Sequence, residues 1–261
     1  MAERGGAVAA LAARFREGKP LITAWCGIPE PSVAGLLAGE PGFDAVTLDM
    51  QHGAYDFDSI ARTVGLVAAR GKPTIARVPV GGFTTVSRLL DAGISGVIAP
   101  MVNTVEDARR FAALAKYPPL GERSWGPTAA LMLSGLAPET YLKEANGFSL
   151  TLAMIETREA LDALDGILAV DGIDGIFLGP SDLSIALSGG AGLDPEGDAV
   201  RRALEHAMAR ARAAGKRVGV YSQSGPRTRE LARQGFDLIA LASDVALLRA
   251  GAQAALREAR A

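Results

Sequence analysis

Short apolar runs rich in β-branched residues alternate along this chain with longer segments that carry Ala and Leu at helical spacing. The runs are Leu21–Trp25, Ala45–Asp49, Thr74–Val78, Gly96–Pro100, Thr151–Ile155, Gly175–Leu178, Arg217–Tyr221 and Asp237–Leu241. Most are too short for helices and are bounded by Gly, Pro or Asp, so each predicts a strand. The longer segments, among them Asp56–Arg70, Val86–Ala92, Val105–Lys116, Glu159–Val170, Val200–Ala214, Arg227–Gln234 and Val245–Arg260, predict helices. Gly71, Gly93, Gly215 and Gly235 stand where helix C-termini should end. Eight strands alternating with helices predict an α/β fold of the (β/α)8 TIM-barrel kind. It is expected to occupy residues 1–261 as a single domain, with an extra N-terminal helix. A doubly wound open sheet is the alternative, and the lack of a G-x-G-x-x-G after the first strand weakens its dinucleotide-binding form. The longest stretch without helical or strand periodicity runs from Tyr117 to Gly147. Because it follows the fourth strand, it is expected to lie over the catalytic face.

Composition narrows the function classes. The 261 residues are 49% hydrophobic and 21% charged, the balance of a soluble globular chain with a core. With 27 basic against 29 acidic residues, nothing points to nucleic acid. No apolar run reaches the roughly 18 residues that a membrane helix requires, so no membrane partner is expected. A single cysteine, Cys26, excludes an internal disulfide and a Cys-rich zinc site. The Ala-rich start is followed at once by Arg14, Arg16 and Glu17, unlike a signal peptide, which predicts a cytoplasmic protein.

In a barrel of this kind the active site is built at the C-terminal strand ends. Those ends carry Trp25 on the first strand, Asp49 and then His52 on the second, and Arg77 on the third. The fifth carries Glu156, and the sixth runs into Gly179-Pro180-Ser181-Asp182. Two carboxylates, Glu156 and Asp182, on neighbouring strand ends suit a hard divalent cation; the competing structural reading is a pair of helix caps. His52, three residues after Asp49, is placed for proton transfer or for a local loop hydrogen bond. Arg77 ends an apolar strand and needs an anionic partner, whether a structural Asp or a substrate oxygen. Gly179–Asp182 opens a helix whose first N–H groups could hold a carboxylate. Trp25 either walls the pocket or packs the rim. None of the five lysines, Lys19, Lys72, Lys116, Lys143 and Lys216, falls at a C-terminal strand end, which disfavours Schiff-base chemistry. The ends of strands seven and eight match a phosphate cradle poorly. Cys26 has no histidine obviously paired with it and reads as a small buried residue.

Taken together, Leu48-Asp49-Met50-Gln51-His52-Gly53, Ile75-Ala76-Arg77-Val78, Gly121-Glu122-Arg123-Ser124, Ile155-Glu156-Thr157 and Gly179-Pro180-Ser181-Asp182-Leu183 resemble the metal-dependent (class II) pyruvate aldolases of the HpcH/HpaI family. That family includes the 4-hydroxy-2-oxoheptanedioate and 2-keto-3-deoxy-sugar-acid aldolases, and the resemblance spans about Leu21 to Ala242. It implies a divalent metal ion (Mg²⁺, Mn²⁺ or Co²⁺) held by Glu156 and Asp182. It implies a 2-oxo acid such as pyruvate or hydroxypyruvate bound by that metal and by N–H groups at Ser181 and Asp182. Arg77 would steady the enolate oxygen, and His52, oriented by Asp49, would move the proton. Gly179 and Trp25 would line the substrate site. The resemblance further implies a homo-oligomer, commonly a hexamer built as a trimer of dimers with exchanged C-terminal helices. Gln51 stands where some members carry Glu, and Met154 where many carry Gln. Arg123 and Trp125, in the stretch after the fourth strand, would shape the aldehyde side; Arg123 either binds an acceptor carboxylate or pins its own loop. Two other readings share parts of this logic: a CoA-ester lyase of the malyl or citryl type, for which no basic cluster is evident, and a non-catalytic keto-acid-binding barrel.

Overall fold

The structure, a computed structural model, describes residues 5–261. In chain order its elements are α1 (Gly6–Arg16), β1 (Leu21–Cys26), α2 (Pro31–Gly39), β2 (Ala45–Asp49), α3 (Phe57–Ala68), β3 (Thr74–Arg77) and α4 (Val86–Asp91). They continue with β4 (Gly96–Ala99), α5 (Val105–Ala115), α6 (Thr128–Ser134), α7 (Pro138–Phe148), β5 (Leu150–Ile155), α8 (Arg158–Asp162) and α9 (Leu164–Leu168). The last are β6 (Gly175–Leu178), α10 (Pro180–Ser188), α11 (Asp198–Ala213), β7 (Arg217–Ser222), α12 (Gly225–Gln234), β8 (Leu238–Ser243) and α13 (Asp244–Arg260). The eight strands pair in parallel and in sequence order, and β8 closes on β1. This is the (β/α)8 barrel expected from the alternation.

Strand parity divides the side chains into two apolar clusters. Leu21, Ala45, Ile75, Ile98, Leu150, Leu152, Phe177 and Leu238 point inward and fill the barrel. Val8, Leu11 and Phe15 of α1 join that interior cluster, so the extra N-terminal helix plugs the barrel's N-terminal mouth. Ser95 Oγ donates to the Ala7 carbonyl at 3.0 Å and fastens the plug. The outward side chains meet the helices in the larger cluster. Helices α3 and α5 start at capping boxes, Asp56 with Ser59 and Thr104 with Asp107, which fixes where each chain leaves the catalytic face. Among the described residues no helix is long and apolar enough to cross a membrane.

The predicted strands fall within two residues of those observed. The predicted helix Glu159–Val170 breaks into α8 and α9 at Ala163, whose ψ of 0° leaves the helical range. Helix α2 escapes the pattern because Pro31, Gly35 and Gly39 interrupt it and only Ser32 is polar.

The stretch from Tyr117 to Gly147 departs from expectation. It is not irregular, since it contains α6 and α7, and it follows α5 rather than β4 directly. A segment after a helix returns to the N-terminal end of the barrel, and here α6 and α7 pack on α1 at that end. Within the chain it therefore lies opposite the catalytic face. Arg123 pins its own loop: its Nη2 bonds Asp91 Oδ1 at 2.7 Å, and its guanidinium stacks over Tyr117. Trp125 leans on Tyr117 and Tyr141.

Candidate active site at the C-terminal mouth

A cavity of about 330 Å³ opens at the C-terminal strand ends. Trp25, Asp49, His52, Arg77, Gly179, Ser181 and Asp182 line it together with Met154, Phe177, Tyr221, Ser243 and Asp244. None of its lining residues is a lysine.

Asp49 and Arg77 form its most tightly bonded pair. The strands carrying them are paired in register, Asp49 beside Arg77, and both side chains point inward. Arg77 Nε donates to Asp49 Oδ1 at 2.8 Å and Nη2 to Oδ2 at 2.6 Å. Trp25 Nε1 adds a third bond, at 3.2 Å to Oδ2. Burial by itself would raise the Asp49 carboxyl, but the Arg77 hydrogen bonds and charge outweigh it and hold the group below the usual carboxylate range. Arg77 thus has a structural partner, and its Nη1 has none among the described residues. The remaining acceptor capacity of Asp49 goes to main chain, Gln51 N at 3.0 Å and His52 N at 3.4 Å. Asp49 therefore sets His52 through the backbone of the β2 loop, not through the imidazole as expected, and the exposed His52 ring faces the cavity. Trp25 both walls the pocket and packs its rim, with Phe177 at 5.7 Å and Tyr221 edge-on at 5.4 Å.

Glu156 lies against Asp182, which lines the cavity. Glu156 is buried, and its Oε1 accepts from Met101 N at 2.9 Å. Met101 holds a left-handed φ of 54° to present that N–H, a cost tolerated where the site needs the donor. Burial and the neighbouring Asp182 push the Glu156 carboxyl up to about 7. Asp182 does not cap α10, whose N-cap is Gly179; Thr157 does cap α8, through Ala160 N. Leu183 is the first N–H to enter the α10 ladder, bonding Gly179 O at 2.9 Å, which leaves the amides of Ser181 and Asp182 open at the cavity edge. Gly179 is needed for this packing, since a Cβ there would lie 2.9 Å from Glu156 Oε2 and 2.7 Å from Met154 Cε.

Among the described residues no group of three or more His, Cys, Asp and Glu forms a ready metal cage. A divalent ion would have Glu156 and Asp182 as its protein ligands, with water and substrate completing the shell, as hard oxygen-seeking ions accept. Two adjacent carboxylates, one of them pushed toward its neutral form, are the donor set that such an ion would relieve.

The HpcH/HpaI aldolase/citrate lyase profile matches residues 24–250. The chain belongs to that family. It is 41% identical to a hydroxypyruvate/pyruvate aldolase of Rhizorhabdus wittichii over 95% of this chain and 97% of that one. It is 35% identical to a 4-hydroxy-2-oxo-heptane-1,7-dioate aldolase of Salmonella paratyphi C over 92% and 90% of the two chains. The crystal structure of an HpcH/HpaI aldolase/citrate lyase family protein from Burkholderia cenocepacia superposes with a TM-score of 0.87 at 29% identity, covering 97% of this chain and all of the other.

Several residues of this HpcH/HpaI barrel's cavity escaped the sequence reading. Phe177 and Tyr221 share the inward parity of Trp25, Asp49 and Arg77, so the alternation rule contained them. Ser243 was hidden by a bulge, and Asp244 lies past Leu241, where the predicted strand ends. The register of β8 slips between Leu241 and Ser243, where Ala242 takes a left-handed φ of 52°. That extra residue breaks the parity that would otherwise mark the strand end. Met154 faces the cavity, whereas the Gln51 side-chain oxygen is buried with no hydrogen-bond partner among the described residues. Cys26 is fully buried, and burial, with the Asp244 charge, raises its thiol far above the usual range.

Proposed function

We propose that this chain is a class II pyruvate aldolase, which reversibly cleaves 4-hydroxy-2-oxo acids into pyruvate or hydroxypyruvate and an aldehyde. The convergence of Arg77, His52, Asp182 and the open amides of α10 on one cavity, with buried Glu156 against Asp182 behind its wall, carries the reading. The substrate carboxylate sits at the Ser181 and Asp182 N–H groups, where the α10 terminus favours negative charge. A divalent ion on Glu156 and Asp182 supplies Lewis-acid polarisation of the 2-oxo group. Arg77, already oriented by two bonds to Asp49, offers Nη1 to the C2 oxygen as charge grows on it. In cleavage the His52 imidazole takes the 4-hydroxyl proton, the C3–C4 bond breaks, the aldehyde leaves, and C3 of the enolate is reprotonated. Trp25, Met154 and Phe177 keep water from the C3 carbon.

The test is deuterium exchange into the pyruvate methyl group, followed by NMR. It uses metal-stripped protein, then added Mg²⁺, Mn²⁺ or Co²⁺, with Glu156→Ala beside it. Metal-dependent exchange that disappears in the variant is expected. Folded protein without exchange under any metal would sink the reading and favour the CoA-ester lyase or the binding barrel.

We also infer a homo-oligomer. Of the 17 residues of α13 only Asp244 is buried within the chain, while Val245, Leu248 and Leu256 stand about half exposed. A helix so bare draws its stability from a partner surface.

A further inference from the structure

We propose that Tyr221, Ser243 and Asp244 form the acceptor wall of the cavity and select an uncharged, hydroxyl-bearing aldehyde over an anionic one. This deepens the aldolase reading and rests on it. The donor end uses β3, β5 and the start of α10, so the arc from β7 through β8 to β1 is the part of the rim left for the aldehyde. That arc contains no cation. Among the described residues Arg77 is the only lysine or arginine on the cavity wall, and two of its nitrogens are bonded to Asp49. The arc does contain a carboxylate. Asp244 is 1% exposed and among the described residues no cation pairs with it; its Oδ2 accepts Gly27 N at 3.0 Å and Ile28 N at 2.9 Å, and its Oδ1 accepts Val245 N at 2.8 Å. Hydrogen bonds from amides steady the charge without cancelling it.

The β8 bulge at Ala242 turns Ser243 to the cavity, as bulges beside active sites do, and Asp244 follows it as the first residue of α13. A second anionic group on the acceptor would meet Asp244 in addition to the donor carboxylate, in a walled site where charges are weakly screened. A neutral acceptor avoids that encounter, and its hydroxyls find the Tyr221 and Ser243 oxygens. The Tyr221 ring is fixed edge-on against Trp25, and its burial keeps the phenol protonated, a neutral donor and acceptor.

The experiment compares succinic semialdehyde with its methyl ester, which differ in charge but not in the reacting carbonyl, each with pyruvate on the metal-loaded enzyme. The expected result is a kcat/KM at least about tenfold higher for the ester, a ratio that narrows in Asp244→Asn. The amide keeps an acceptor oxygen for Gly27 and Ile28, and general loop damage would slow both substrates alike, leaving the ratio unmoved. In parallel, Tyr221→Phe is expected to lower kcat/KM for glyceraldehyde relative to propanal several-fold. Equal or better use of the acid, or ratios unchanged in both variants, would overturn the proposal. Pyruvate methyl exchange separates the two levels: exchange with the wrong acceptor preference refutes the acceptor wall alone, while no exchange refutes the aldolase reading beneath it.

Discussion

Arg77 and Asp49 each depend on the other. Arg77 is buried, and among the described residues Asp49 is its only carboxylate partner. Asp49→Ala therefore leaves a buried guanidinium uncompensated, and an expected loss of about 3–5 kcal/mol should appear in urea unfolding. Glu156 acts with the opposite sign. Its folded pKa is raised, so the metal-free folded protein holds a proton that the unfolded chain releases between pH 4.5 and about 7. Stability of the metal-free protein should then fall as pH rises through that window. Glu156→Gln cannot ionise, so the wild-type minus variant difference in unfolding free energy should decline across the window; a flat difference would refute the assignment. Gly179→Ala tests the same corner by shape. Its Cβ would arrive 2.9 Å from Glu156 Oε2, and methyl exchange should drop about a hundredfold in a protein that still unfolds cooperatively.

The fold was legible at the scale of elements because two periodicities, alternation in the strands and helical spacing between them, ran the length of the chain. Parity then placed Trp25, Asp49 and Arg77 on the inner wall without further information. Two features defeated that logic. The bulge at Ala242 turned Ser243 onto the inner wall against the alternation, and nothing local in Leu-Ala-Ser-Asp announces a bulge. The Tyr117–Gly147 stretch was assigned by the strand before it, when its true neighbour is α5, which carries the chain back to the opposite end. Arg123 tests this correction. Its side chain is fully buried against Asp91, which is itself 25% exposed. Arg123→Met should therefore cost roughly 2–3 kcal/mol, below the range for a wholly buried pair. Acceptor KM should stay unchanged; a rise in acceptor KM without a loss of stability would return the loop to the substrate.

At the scale of the whole molecule, α13 joins two problems. Its first residue, Asp244, is sealed into the cavity wall, and four and twelve residues further on Leu248 and Leu256 face outward at 55% and 53% exposure. If a second copy covers those leucines, assembly also holds the acceptor wall in place. Leu248→Glu with Leu256→Glu should then reduce the sedimenting mass from a multiple of 27.0 kDa toward that value. The two halves of the reaction should respond differently. Methyl exchange depends on Arg77, His52, Glu156 and Asp182, which are seated on β2, β3, β5 and α10 or the loops that follow them, so it should survive disassembly within a few-fold. Aldol addition also uses Ser243, the N-cap of α13, so its acceptor KM should rise by about tenfold as the helix loosens. Dissociation that leaves acceptor KM untouched would separate assembly from the acceptor wall. A wild-type chain already sedimenting at the monomer mass would show that α13 is stable uncovered.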